Sequence, residues 1–197
     1  MKRRQRRAGP HEATAYHEAG HAVADLMLGN GLRRVTVVPD DDAGSAGTCS
    51  AGEFSRKSDH SPELDTGTRN RLRMERRVIA VLAGEEAQRQ FSPRSVRGRH
   101  GDEDRRAAVN LISYFTSSDE ELSAYLNLLQ IQARQSVRGR SWWPVIVAVA
   151  EQLLIKKTLV RREAQRIRDS VYPDMAALRD RVRDRMRVKA KPGKGGR

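Results

Sequence analysis

Pro10-His11-Glu12-Ala13-Thr14-Ala15-Tyr16-His17-Glu18-Ala19-Gly20-His21-Ala22-Val23-Ala24-Asp25-Leu26-Met27-Leu28-Gly29 is the stretch on which the reading of this 197-residue chain turns. It predicts one helix, closed by the stop signal Gly29-Asn30-Gly31. A helix advances about 100° per residue, so residues four apart share a face. With His17 at zero, His21 falls at roughly 40°, Asp25 at 80° and Glu18 at 100°. The rest of the cylinder is Ala13, Tyr16, Ala19, Gly20, Ala22, Val23, Ala24, Leu26, Met27 and Leu28. A narrow polar stripe on an otherwise apolar helix is the inverse of a surface helix, and it predicts burial. Buried polar side chains need partners. Two core histidines bonded to backbone would meet that need but leave Glu18 unexplained.

His17-Glu18-Ala19-Gly20-His21 spells H-E-x-x-H. Two imidazoles projecting side by side suit Zn²⁺, and a carboxylate beside the open coordination position can take a proton from water. Catalytic zinc normally has a third protein ligand. A third histidine six residues after His21 would extend the motif, but that position is Met27, so the ligand must come from elsewhere. Candidates are Glu53, Glu75, Glu85, Glu86, His60, His100, Asp102, Glu103 and Asp104. Helical phase favours Asp104. In a helix starting near Asp102, the apolar residues Ala107, Ala108, Leu111, Ile112 and Phe115 point in the mean direction of Asp104. Asp102 points to the opposite side, where it serves as an N-terminal cap, and Glu103 lies on a flank. An inward acid needs a positive partner, and Zn²⁺ is one. His100 is the main alternative. Asp25 is a candidate partner for an imidazole N–H, or a purely structural residue.

Around this centre the chain reads as mainly α. Val35-Thr36-Val37-Val38 is β-branched and predicts a short strand, with Thr48 to Phe54 as its return after an aspartate-rich turn. Residues 55–68 are polar and loop-like. Helices are predicted over 69–91, with Leu72, Val78, Ile79, Leu82 and Ala83 facing the core, and over 102–116, 118–137, 142–157, 160–171 and 174–187. A basic loop spans Ser92 to Gly101. Trp142 and Trp143 read as core or interface anchors, with Pro144 in the first turn of their helix.

The length suits one domain, residues 10–188, between two basic arms, 1–9 and 189–197. The net charge is +13, of which the first nine residues carry +5 and the last nine +4. The excess therefore lies in arms without apolar periodicity, read as disordered and suited to nucleic acid or an anionic surface, or to no fixed partner. No apolar run is long enough to span a bilayer, MKRRQRR is not followed by a secretory apolar segment, and Cys49 is the only cysteine. These features fit a cytoplasmic protein with no membrane span and no internal disulfide.

Several motifs, in order, resemble the FtsH-type peptidases, the zinc peptidase domains of ATP-dependent membrane proteases. Ala15 to Val23 is similar to their active-site helix, and Arg34-Val35-Thr36-Val37-Val38-Pro39 to the strand beside their cleft. Val81-Leu82-Ala83-Gly84-Glu85-Glu86-Ala87 resembles their L-A-G-x-x-A helix, and Gly101-Asp102-Glu103-Asp104 with Ala108 the segment bearing their aspartate ligand. Leu153-Leu154-Ile155-Lys156-Lys157-Thr158-Leu159 is similar to their L-L-x-x-x-T-L. The match covers roughly residues 12–170. It implies a helical, zincin-like metallopeptidase domain with a small hairpin or edge strand beside the active-site helix. His17, His21 and Asp104 would hold zinc, Glu18 would be the general base, and residues 35–38 would pair with an extended protein substrate. Gln88 stands where the family has a glutamate and is no ligand. No ATPase module or membrane anchor is present in this sequence, so a separate ATPase or unfoldase is an implied partner. The competing expectation is a non-catalytic, metal-binding regulatory protein whose basic arms dock on nucleic acid or an acidic partner.

Overall fold

The computed structural model describes residues 9–39, 47–51, 67–96 and 101–174. The candidates Glu53, His60 and His100, the loop 55–66, both basic arms and most of the helix expected at 174–187 lie outside these residues.

Helix α1 (Pro10–Leu28) begins with Pro at its first position, and Glu12 Oε2 accepts the Gly9 amide at 2.7 Å. It ends where Gly29 adopts a left-handed φ of 75°, a conformation that costs glycine nothing. Strand β1 (Leu32–Thr36) follows directly, then β2 (Thr48–Ala51). The helices α2 (Thr68–Phe91), α3 (Asp102–Ser113), α4 (Asp119–Arg138) and α5 (Trp143–Lys156) come next, and β3 (Thr158–Val160) leads into α6 (Arg161–Val171). The architecture is mainly helical with one small sheet, as the sequence predicts.

The sheet order is β2-β1-β3, antiparallel throughout. β1 is therefore the central strand, and the expectation that residues 35–38 offer a free edge is corrected. The cause is β3, which pairs Thr158 with Thr36, Leu159 with Val35 and Val160 with Arg34. Lys157 takes a φ of 65° to bring β3 back alongside, and its carbonyl accepts from Val37 N at 2.9 Å and Thr36 Oγ1 at 3.2 Å. The edge nearest the H-E-x-x-H helix is β2.

Two apolar clusters flank α2. One joins α1, the sheet, α5 and α6 through Val23, Val35, Val145, Ile146, Val149, Leu153 and Leu159; the other joins α2, α3 and α4 through Val78, Leu82, Ile112, Leu126 and Leu129. Trp142 is buried in the first cluster, while Trp143 lies half-buried against Tyr16, which stacks on Phe91. Leu72, expected in the core, is exposed. Glu86 is buried in the α2–α4 seam, where Arg134 reaches both its oxygens at 3.1 and 3.3 Å. No described helix is long and apolar enough to cross a membrane.

Candidate metal centre

The centre forms where α1, α2 and α3 meet, and two glycines permit the approach. A Cβ on Gly20 would stand 2.5 Å from Ala83 O and 2.7 Å from Ala87 Cβ, so α1 and α2 touch backbone to backbone. One residue along each helix, a Cβ on Gly84 would stand 2.3 Å from His21 Nε2. The His21 ring thus lies flat on the bare backbone of Gly84. These contacts give the Leu82-Ala83-Gly84 stretch its physical reason.

His17 Nε2 and His21 Nε2 are 3.0 Å apart, and Asp104 Oδ2 lies 3.2 Å from the first and 3.3 Å from the second. Among the described residues this is the group of side chains placed to hold a metal ion. All three are largely shielded, the histidine side chains at 14% and 13% exposure and Asp104 at 25%. Asp104 reaches the centre from the first turn of α3, on the face that also carries buried Ala108 and Ile112. Gly101 is the N-cap of α3, so Asp102 is a first-turn residue rather than the expected cap. A Cβ on Gly101 would stand 2.8 Å from Glu85 Oε2, which adds a carboxylate from α2 to the three in the first turn of this helix.

The donor chemistry calls for a cation. His21 Nδ1 donates to Ala80 O at 2.9 Å, which leaves Nε2 as an acceptor in the neutral ring. His17 Nδ1 bonds Gln88 Oε1 at 3.1 Å. Asp104 Oδ2 is buried and has no partner among the described residues other than the two rings. Acceptors converging at 3.0–3.3 Å repel unless a positive charge sits among them. The separations match the edge of a tetrahedron whose corners lie about 2.0–2.1 Å from a zinc ion, about 3.3 Å. Electrostatics agree. Burial pushes the His21 pKa down, but the Asp104 carboxylate, with Glu18 and the Ala80 carbonyl, outweighs it and lifts the value to about 9. For Asp104, burial works upward and is overcome by His21 and His17, which hold its carboxyl well below the usual range. Without a metal, a proton on His21 supplies the charge.

Glu18 lies beside this group. Its side chain is buried, its Oε2 has no hydrogen-bond partner among the described residues, and burial raises its pKa against the opposing pull of His21 and His17. Gly47, just before β2, packs on it: a Cβ there would stand 2.9 Å from Glu18 Cγ and Oε1 and 3.0 Å from Thr36 O. The acid and the sheet edge are therefore neighbours.

Of the other carboxylates considered, Glu75 bonds Tyr125, Glu85 pairs with Arg89 and Glu86 with Arg134. Asp102 and Glu103 are exposed. Asp25 does not orient a ligand ring. It accepts from Asn30 at 3.2 Å and lies 3.6 Å from Arg77, while Ala80 O takes the His21 proton. Three participants were not read from the sequence as such: Gly84, the Ala80 carbonyl and Gln88 as a hydrogen-bond partner of His17. Their spacing of four along α2 is the signal that links them, since it puts all three on one face. No family model matches the chain, and no curated protein matches it.

Proposed function

We propose that this chain is a zinc-dependent metallopeptidase of the zincin-like, FtsH-type kind, hydrolysing peptide bonds in flexible or unfolded protein chains. The observation that carries the proposal is the convergence of His17 Nε2, His21 Nε2 and Asp104 Oδ2 within 3.3 Å, beside the buried, unbonded Oε2 of Glu18. A metal-binding regulator has use for the first three groups only. Burying Glu18 without a partner is costly, and the cost makes sense for a base that meets its proton only during turnover.

His17, His21 and Asp104 would hold the ion. When bound, Zn²⁺ supplies Lewis acidity towards a scissile carbonyl and brings the pKa of water to about 7. Glu18 accepts a proton from the attacking water and returns it to the leaving amine. Its raised pKa brings it nearer to the operating pH, where such transfer is efficient. Shielding of the pocket by α1, α2 and α3 strengthens each of these interactions. β2, next to Glu18 through Gly47, is the strand suited to pair with an extended substrate, in place of residues 35–38. An extended substrate is an unfolded one, which makes a separate ATPase or unfoldase a fitting partner.

The test is Glu18→Gln, loaded with zinc and offered an unfolded protein. Zinc binding is expected to persist while hydrolysis falls at least about 100-fold, the usual weight of a general base. Undiminished cleavage by the zinc-loaded variant would refute the role given to Glu18.

A further inference from the structure

Hydrogen bonds around His17 run in one direction through three side chains. Ser95 Oγ donates to Ser92 O at 2.7 Å, which uses its only proton. Its lone pairs are left to accept, and Gln88 Nε2 donates to it at 3.2 Å. That contact turns the amide so that Gln88 Oε1 faces His17 Nδ1 at 3.1 Å. An amide oxygen only accepts, so His17 Nδ1 carries the ring proton and Nε2 keeps its lone pair.

We infer that Gln88, oriented by Ser95, is a positioning residue that holds His17 in its Nδ1–H form with the Nε2 lone pair aimed at Asp104 and His21. The inference rests on the metal reading above and deepens it. Gln88 is 5% exposed and follows Gly84 by one turn of α2, so the same helix face seats one ligand ring and orients the other. His21 is fixed in the same tautomer by Ala80 O. Both imidazoles thus present Nε2 to one point, and neither can lend a proton to Asp104 while neutral. The amide does this without adding charge, so the donor set keeps the single negative charge of Asp104.

The experiment compares the full chain with Gln88→Met, which keeps the length and removes the acceptor, with Gln88→Glu, which restores an acceptor, and with Ser95→Ala. The tautomer of His17 is read from imidazole ¹⁵N shifts in metal-free protein, and zinc affinity from chelator competition. Wild type and Gln88→Glu are expected to show Nδ1–H. Gln88→Met is expected to lose that single form and to bind zinc roughly ten- to a hundredfold more weakly. Ser95→Ala should fall between. A purely structural role would lower the melting temperature of metal-free Gln88→Met and leave Gln88→Glu no better. An Nε2–H tautomer in wild type, or zinc binding by Gln88→Met within twofold of wild type, overturns the inference. Wild type that shows Nδ1–H yet takes up no metal would sink the metal reading instead, so the two failures are distinguishable.

Discussion

Replacing Gly84 by alanine puts a methyl group where His21 lies. The new Cβ would be 2.3 Å from Nε2, 2.4 Å from Cε1 and 2.8 Å from Cδ2 of the ring. Ordinary contact begins at about 3.4 Å, so the ring must retreat by roughly 1 Å. Metal–ligand distances tolerate only about 0.2 Å, and the retreat also strains the 2.9 Å bond to Ala80 O. The fold has little reason to suffer. The obstructed atoms belong to one side chain, and alanine is favoured over glycine within a helix by about 1 kcal/mol. Gly84→Ala is therefore expected to keep the melting temperature of the metal-free protein and to weaken zinc binding by more than about 100-fold, beyond the loss usual for an outer-shell change. Gly20→Ala is the internal contrast. Its Cβ would meet Ala83 O at 2.5 Å and Gly84 Cα at 3.0 Å, both backbone, so α1 and α2 must separate. Overpacking of this kind costs about 1–3 kcal/mol, or about 2–4 °C of melting temperature per kcal/mol. Chelator competition and thermal unfolding on both variants give the comparison. Zinc binding by Gly84→Ala within threefold of wild type would refute the reasoning.

Glu18→Gln should raise the melting temperature of the metal-free protein at pH 7 and above, because the folded pKa of this buried acid is raised and its ionised form is disfavoured; a drop in thermal unfolding would contradict this. His21 behaves oppositely. Lifted from 6.5 to about 9, it stabilises the metal-free fold fully below pH 6.5, and the gain is lost as pH rises through about 9. Zinc must displace that proton, so between those limits binding should release about one proton per ion and tighten roughly tenfold per pH unit. Calorimetry in buffers of different ionisation enthalpy reads the proton count, and no release at pH 7.5 would argue against it. Arg134→Ala leaves Glu86 buried without its partner and should cost about 2–3 kcal/mol, somewhat below a fully buried pair because Arg134 is 40% exposed. Urea unfolding measures it, and Glu86→Gln in the same chain should recover part of the loss.

Much of the centre was legible because its parts obey local rules. The four-residue spacing of His17 and His21 fixes their common face, and the Gly29 stop fixes where the helix ends. Asp104 was legible from phase, since Ala108 and Ile112 share its side of α3. The sheet was not. β3 is three residues long, too short to carry a period, and its partner lies more than 120 positions earlier in the chain. Lys157 gives no hint of its left-handed φ, which glycine or asparagine would have signalled. The central place of β1 follows from that unread strand. The bond between Gln88 and His17 depends on the meeting of α1 and α2, which no local pattern encodes.

In the proposed centre, three side chains from two distant segments share one divalent cation. The decisive measurement is the zinc content of the purified chain after supply of zinc and removal of loose metal. About one zinc per chain is expected for wild type and for Glu18→Gln, and none for His21→Ala or Asp104→Ala. Wild type that retains no zinc, or Asp104→Ala that retains it undiminished, would contradict this arrangement.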